Sequence, residues 1–295
     1  MDIETKLKET FADASAEGYL HAREIDGQAE VAFGADTQVV TASVFKIPIC
    51  LELARQAATG DLELTERVKV AANERTFGPT GLSGMLDEVE LSLRDLANLM
   101  MTVSDNTATD VIVKCVGLDR INSTLASLGL TETFLTGDCK DTLFSLIEDL
   151  KIDPSKEPPL IGTIDPELLK AARALRAETT SRTTPREITR LLELIWQDEA
   201  GPPEACAEVR RIMALQVWSH RMTAGFPDGV KLSAKTGTLP GIRNEAGVIE
   251  YPDGGRYAVG VFTVAHSYDQ RLPAIDAVIG TGARLAVDHL RSKSN

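Results

Sequence analysis

The chain has 295 residues, 43% hydrophobic and 25% charged, enough to bury a substantial core as one large domain or two interleaved lobes, and its composition is neither disordered nor collagen-like. A formal charge of −13 argues against nucleic acid or an anionic membrane as partner, because phosphate backbones attract clustered Lys and Arg. No apolar run approaches the roughly eighteen residues of a membrane span.

The N-terminal segment Met1-Asp2-Ile3-Glu4-Thr5-Lys6 is charged and lacks an apolar h-region, so the expectation is a cytoplasmic protein, or one whose leader has been removed. Helical periodicity runs from Ile3 to Glu17, followed by strands Tyr19 to Ile25 and Ala29 to Phe33 with Asp26-Gly27 as the hairpin turn. Ser43-Val44-Phe45-Lys46 then opens an apolar stretch, Ile47 to Leu53, that reads as a buried helix. Three residues are almost one helical turn, so Ser43 and Lys46 share a face, and a lysine whose pKa is lowered can take a serine's proton. Alone the pattern is weak: about one Ser-x-x-Lys is expected by chance in a chain this long.

An amphipathic run, Leu91 to Val103, leads into Ser104-Asp105-Asn106, and helices are predicted over Asn106 to Val116, Asp119 to Leu128, Asp165 to Arg176, Pro185 to Trp196 and Pro203 to Trp218. Three strands return near the end: Val230 to Thr238, which carries Lys235-Thr236-Gly237-Thr238, then Ala246 to Tyr251 and Arg256 to Ala265 across the turn Pro252-Asp253-Gly254-Gly255. A closing helix spans Leu272 to Leu290. The chain thus reads as a single α/β domain, 1–295, with an antiparallel sheet drawn from both chain ends. Its α/β lobe covers about 1–60 and 220–295, an all-helical lobe of about 61–219 is inserted, and a cleft is expected at their junction. Cys50, Cys115, Cys139 and Cys206 are widely spaced, without a Cys-x-x-Cys or a Cys/His cluster, so they read as free thiols with no metal site and no cofactor. His21, His220, His266 and His289 are scattered and no Gly-x-Ser-x-Gly elbow exists, which speaks against a Ser-His-Asp triad.

Ser43-x-x-Lys46, Ser104-Asp105-Asn106 and Lys235-Thr236-Gly237, in this order, resemble the motifs of the penicillin-recognising serine hydrolases, and of class A β-lactamases in particular. Glu90-Leu91-Ser92-Leu93-Arg94-Asp95-Leu96, Thr183-Thr184-Pro185-Arg186-Glu187 and Arg256-Tyr257-Ala258-Val259-Gly260-Val261-Phe262 are similar to their family counterparts. The resemblance implies a β-lactamase/transpeptidase-like fold and one cleft in which Ser43 is the nucleophile and Lys46 its base. It implies further that Ser104 relays a proton to the leaving group, that Lys235 disfavours the charge on Lys46, and that the N–H groups of Ser43 and Thr238 form the oxyanion hole. Asn106, Thr236 and Thr238 are then substrate-binding, while Asp105 fixes the local turn. Where the family carries an arginine on the strand after Lys-Thr-Gly, the matching position is Ala246. Arg243, in the turn before it, is the candidate for a substrate carboxylate, with a solvated turn arginine an equal alternative.

The likeness is weakest over residues 135–178. The family's Glu-x-x-Leu-Asn, whose glutamate activates the deacylating water, is absent, and Asp138 or Cys139 falls near its position. Asp138 is the candidate deacylation base, one methylene short, with a surface aspartate in a turn beside Gly137 as the commoner alternative, and Lys140 to Glu178, with Pro154, Pro158 and Pro159, reads as an insertion that remodels one wall of the cleft. The expected function is a serine hydrolase working through an acyl-Ser43 intermediate, with β-lactamase-type hydrolysis of a cyclic amide in a small, carboxylate-bearing substrate. The alternatives are an intracellular esterase or amidase on a small carboxylate-bearing metabolite, or a penicillin-binding sensor that deacylates slowly.

Overall fold

Strands from the two ends of the chain meet in one sheet. The computed structural model describes residues 2–153 and 159–293, so Pro154 and Pro158 lie outside the described residues. Its strands are β1 (Ala16–Glu24), β2 (Glu30–Phe33), β3 (Val39–Val40), β4 (Arg67–Val70), β5 (Val89–Ser92), β6 (Arg182–Thr183), β7 (Lys231–Leu239), β8 (Ile242–Glu250) and β9 (Arg256–Ala265). Its helices are α1 (Ile3–Asp13), α2 (Lys46–Ala58), α3 (Leu93–Thr102), α4 (Asn106–Val116), α5 (Leu118–Ser127), α6 (Cys139–Asp149), α7 (Pro166–Ala171), α8 (Pro185–Trp196), α9 (Pro203–Met213) and α10 (Pro273–Lys293). The main sheet has the order β2-β1-β9-β8-β7 with antiparallel neighbours throughout, which leaves β7 as an edge strand.

Alternation along the strands gives the sheet two apolar faces. On one, Leu20, Val259 and Val261 meet Leu7 and Phe11 of α1 and Val278, Ile279 and Leu290 of α10, forming a separate core. On the other, α8 packs against β1 and β9 and joins the sheet to the helical lobe. The axis of that lobe is α2, in which Lys46 to Ala54 are all buried, as befits a helix that is apolar on nearly every side. Each buried Leu or Ile there contributes about 1.5–3 kcal/mol of transfer free energy, so the helix that carries Lys46 is held rigidly.

Several boundaries differ from expectation for identifiable reasons. Helix α1 ends at Asp13 because Ser15 adopts φ 57 and turns the chain into β1, which starts at Ala16 rather than Tyr19. The helix expected over Asp165 to Arg176 breaks into α7 and a 3-10 turn, Arg173–Leu175. Helix α9 stops at Met213, so Gln216 and Trp218 belong to the connection towards β7 and not to a helix. Strand β8 begins at Ile242 rather than Ala246, which places Arg243 within a strand, opposite Thr238, and not in a turn.

Candidate active site

Residues 42–45 form a 3-10 turn that runs directly into α2. In a 3-10 turn residues i and i+3 eclipse, so Ser43 and Lys46 stack on one side of the chain. Ala42 has φ 44, an unfavourable conformation for a residue with a Cβ, and the strain is borne immediately before the nucleophile candidate. The Ser43 hydroxyl has no hydrogen-bond partner among the described residues and lines two adjoining cavities. Lys46, fully buried, donates from Nζ to the Ser104 carbonyl oxygen (2.8 Å), to Asn106 Oδ1 (3.0 Å) and to Ser104 Oγ (3.2 Å).

Ser104 joins α3 to α4, and it too has positive φ, 61°. Asp105 fixes this turn as expected, with Oδ1 accepting from Ala108 N (3.0 Å) as the N-cap of α4 and Oδ2 accepting from Leu82 N (2.6 Å). From β7, Lys235 donates to Ser104 Oγ (3.0 Å) and to the Thr236 carbonyl oxygen (2.9 Å). Two amines, each arriving on a different element, thus converge on the Ser104 hydroxyl. A hydroxyl has two lone pairs and one proton, so with both lone pairs taken its O–H is the free donor.

Burial lowers the pKa of Lys46, opposed by Cys139, Asp105 and Asp110. Lys235 is lowered well below the ordinary value, by burial first and by the neighbouring Lys46 charge second, with Glu245 opposing. Glu245 is itself buried, and its pKa is raised by desolvation against the pull of its bonds from Met222 N (2.7 Å) and Gln216 Nε2 (2.8 Å). The site therefore holds two amines poised to lose a proton, the state a base needs.

Edge strand β7 supplies the other wall. Thr236 N donates off the free edge to Gln216 Oε1 (2.8 Å), and with a period of two the Thr238 N–H points to the same side. A Cβ on Gly237 would lie 2.7 Å from the Thr41 carbonyl oxygen and 3.2 Å from Ser43 N, so β7 lies directly against the nucleophile turn and only glycine permits that approach. Ser43 and Thr238 accordingly line the same two cavities.

The smaller cavity, about 190 Å³, is walled by Phe45, Phe77, Pro79, Cys139, Leu143 and Leu239 beside Ser43. The larger, about 380 Å³, shares Ser43, Asn106 and Thr238 with it and adds Ser104, Thr236, Arg221 and Arg243. Arg221 is buried and donates to Thr238 Oγ1 (2.8 Å), to Asp276 Oδ1 (2.7 Å) and to the carbonyl oxygens of Gly237 (3.0 Å) and Asn244 (3.1 Å). Arg243 is equally buried and spends its guanidinium on the carbonyl oxygens of Leu239, Ile242 and Gln270, so the solvated-turn alternative does not hold. Arg221, Gln216 and Asp276 carry no local motif, and only the closure of the sheet brings them to the cleft.

The structure brings together Ser43, Lys46, Ser104, Asn106, Lys235, Thr236, Thr238 and Arg243. Asp138 it places elsewhere: Asp138 is the N-cap of α6, with Oδ1 accepting from Asp141 N (2.9 Å), and it lines neither cavity. Cys139, the next residue, occupies the wall instead, and no carboxylate lines the smaller cavity among the described residues. All four cysteines are free, and no cluster of His, Cys, Asp or Glu among the described residues could hold a metal ion. No helix among the described residues is long and apolar enough to cross a membrane.

Comparison with known proteins gives a match to the model of the β-lactamase enzyme family over residues 2–290. The chain is 27% identical to the β-lactamase regulatory protein BlaB of Streptomyces cacaoi, over 97% of this chain and 96% of that one. Among solved structures, the β-lactamase of Sphaerobacter thermophilus superposes with a TM-score of 0.77 at 25% identity, covering 100% of this chain and 98% of that one. PBP-A superposes with a TM-score of 0.78 at 21% identity, covering 99% and 96% of the two chains.

Proposed function

Since the chain belongs to the β-lactamase enzyme family, serine hydrolases that act on an amide bond, we propose that Ser43 opens a β-lactam ring and carries the resulting acyl group. The observation that carries this reading is the Ser104 hydroxyl bridging the Lys46 and Lys235 amines beside an unpartnered Ser43. Lys46 Nζ takes the Ser43 proton as Oγ bonds to the carbonyl carbon, and the developing oxyanion is met by the N–H groups of Ser43 and Thr238. As the C–N bond breaks, the nitrogen is protonated by the Ser104 hydroxyl, which recovers its proton from the lysine pair. Donors of the oxyanion-hole kind are typically worth about 3–4 kcal/mol each.

Asn106, fixed by its bonds to Lys46 and to the Phe77 carbonyl oxygen (Nδ2 to O, 2.9 Å), lies beside the scissile amide. The substrate's carboxylate sits against Thr236 and Thr238, backed by the positive charges of Arg221 and Arg243 in the larger cavity. Hydrolysis then requires water to break the Ser43 ester. With no carboxylate among the described residues lining the acyl cavity, that second step is slower than the first, and the acyl-enzyme accumulates.

The test is intact-protein mass spectrometry after mixing with a penicillin, alongside Ser43→Ala. The expected result is an adduct of the penicillin's mass on Ser43 that decays with release of the opened product. Turnover retained in Ser43→Ala would overturn the assignment.

A further inference from the structure

Asp110, four residues after Asn106 on the same face of α4, takes no part in the chemistry above, yet three hydrogen bonds converge on it. Its Oδ2 accepts from Thr76 Oγ1 (2.5 Å) and from Lys140 N (3.1 Å), and its Oδ1 accepts from Cys139 N (2.8 Å). The first bond comes from the segment that continues into Phe77, Gly78 and Pro79, one wall of the acyl cavity. The other two come from the first turn of α6, whose Cys139, Thr142 and Leu143 form the facing wall. Thr76 is held to α4 a second time, its N–H donating to Thr107 Oγ1 (3.0 Å).

We propose that Asp110 is a positioning residue for acyl transfer at Ser43, a carboxylate clasp that joins the two walls of the acyl cavity to the helix carrying Asn106. The proposal rests on the reading of Ser43 as the acylated residue. All three partners donate, so the position is built for a group that only accepts; an amide or a protonated acid would turn a hydrogen towards an N–H. The carboxylate also sits at the N-terminus of α6, where negative charge is favoured.

Every charged group facing it bears on its titration. Burial pushes the Asp110 carboxyl up to about 6, the Asp138 carboxylate on α6 adds to this, and Thr76, the Cys139 N–H and the Lys46 amine on α2 oppose it. Reciprocally, the Asp110 charge favours the protonated form of Lys46. Removing the charge therefore eases deprotonation of Lys46, and the loss of acylation on the acid side shifts to lower pH.

The experiment measures the rate of Ser43 acylation from about pH 4.5 to 9 with a penicillin bearing a bulky aromatic acyl group and with 6-aminopenicillanic acid, which bears none. In Asp110→Asn the acid limb is expected to move down by about half a pH unit or more, and the preference for the bulky penicillin to fall about fivefold or more. Thr76→Val removes one bond of the clasp but keeps the carboxyl group, so it should lower the preference and move the limb less than Asp110→Asn does. A limb that stays put in Asp110→Asn, or a preference unchanged in both variants, overturns the proposal while leaving the wild-type adduct on Ser43 intact. Absence of any wild-type adduct on Ser43 would instead remove the functional reading, and the clasp with it.

Discussion

Lys46 and Lys235 meet on one hydroxyl: Ser104 Oγ lies 3.2 Å from the first amine and 3.0 Å from the second. Both side chains are fully buried, which favours the neutral amine in each, and the Lys46 charge presses Lys235 further to release its proton. The arrangement explains how an amine that is ordinarily protonated at neutral pH can serve as a base. Replacing Lys46 by Met should lower the rate of Ser43 acylation by about 10²–10⁴. A labelling time course with a fluorescent penicillin measures this, and a variant labelled as fast as the wild type would remove Lys46 from the mechanism.

The same burial makes Lys235 a source of instability with a defined pH dependence. Its folded-state pKa lies well below the ordinary 10.5, so as pH falls through about 10.5 the unfolded chain takes up a proton that the folded protein does not. Stability is lost over that descent, down to the folded-state pKa. Lys235→Met lacks the effect, so its unfolding midpoint relative to wild type should rise as pH falls from 10.5 towards neutrality. Thermal melts at a series of pH values check the slope; a difference independent of pH would contradict the depressed pKa.

Gly237→Ala tests the contact between β7 and the nucleophile turn. The added methyl meets backbone on two sides, the Thr41 carbonyl oxygen and Ser43 N, and neither can swing aside as a flexible side chain can. The strand must move away from Ser43, carrying Thr238 N with it. A loss of roughly 10²–10³ in the acylation rate is expected, the range for a misplaced oxyanion donor. Activity within a few-fold of wild type would mean that β7 does not supply the donor.

The residues gathered at the cleft were legible because each lies in a short, contiguous motif: Ser43 with Lys46, Ser104 with Asn106, Lys235 with Thr236. The sheet from both chain ends was legible too, since the period-two pattern and the Asp26-Gly27 and Asp253-Gly254 turns are local signals. Arg221, Gln216 and Asp110 were not. Arg221 reaches Thr238 because Gly280 of α10 lets the chain pass close, where a Cβ would lie 2.5 Å from the Arg221 carbonyl oxygen, and that is a tertiary contact no window of sequence contains. The two-residue pairing β3–β6 and the four-residue antiparallel pairing β4–β5 are similarly too short to show a period.

Arg221 joins β7, β8 and α10 through four hydrogen bonds from its three guanidinium nitrogens, to Gly237, Asn244, Thr238 and Asp276. Arg221→Lys keeps the charge but cannot hold that fork, so it should behave more like Arg221→Ala than like wild type. Both should lower acylation by carboxylate-bearing penicillins about 10- to 100-fold, with a smaller loss for an uncharged penicillin ester. Equal losses for acid and ester would show that Arg221 only supports the fold.

Asp138 offers a separation of stability from turnover. Its carboxylate caps α6 through Asp141 N, and Asp141 Oδ2 in turn accepts from Asp138 N at 3.1 Å, a reciprocal pair that satisfies the helix end. Asn caps a helix about as well as Asp, whereas Ala loses the cap at a cost of about 1 kcal/mol. Asp138→Asn should therefore keep both the unfolding midpoint and the rate at which the acyl-enzyme decays, and Asp138→Ala should lower the midpoint without changing that decay. Mass spectrometry of the Ser43 adduct over time gives the decay directly. If the adduct persisted in Asp138→Asn while wild type turned over, the carboxylate would be acting on the deacylating water, and the cap would be a second role of the same side chain.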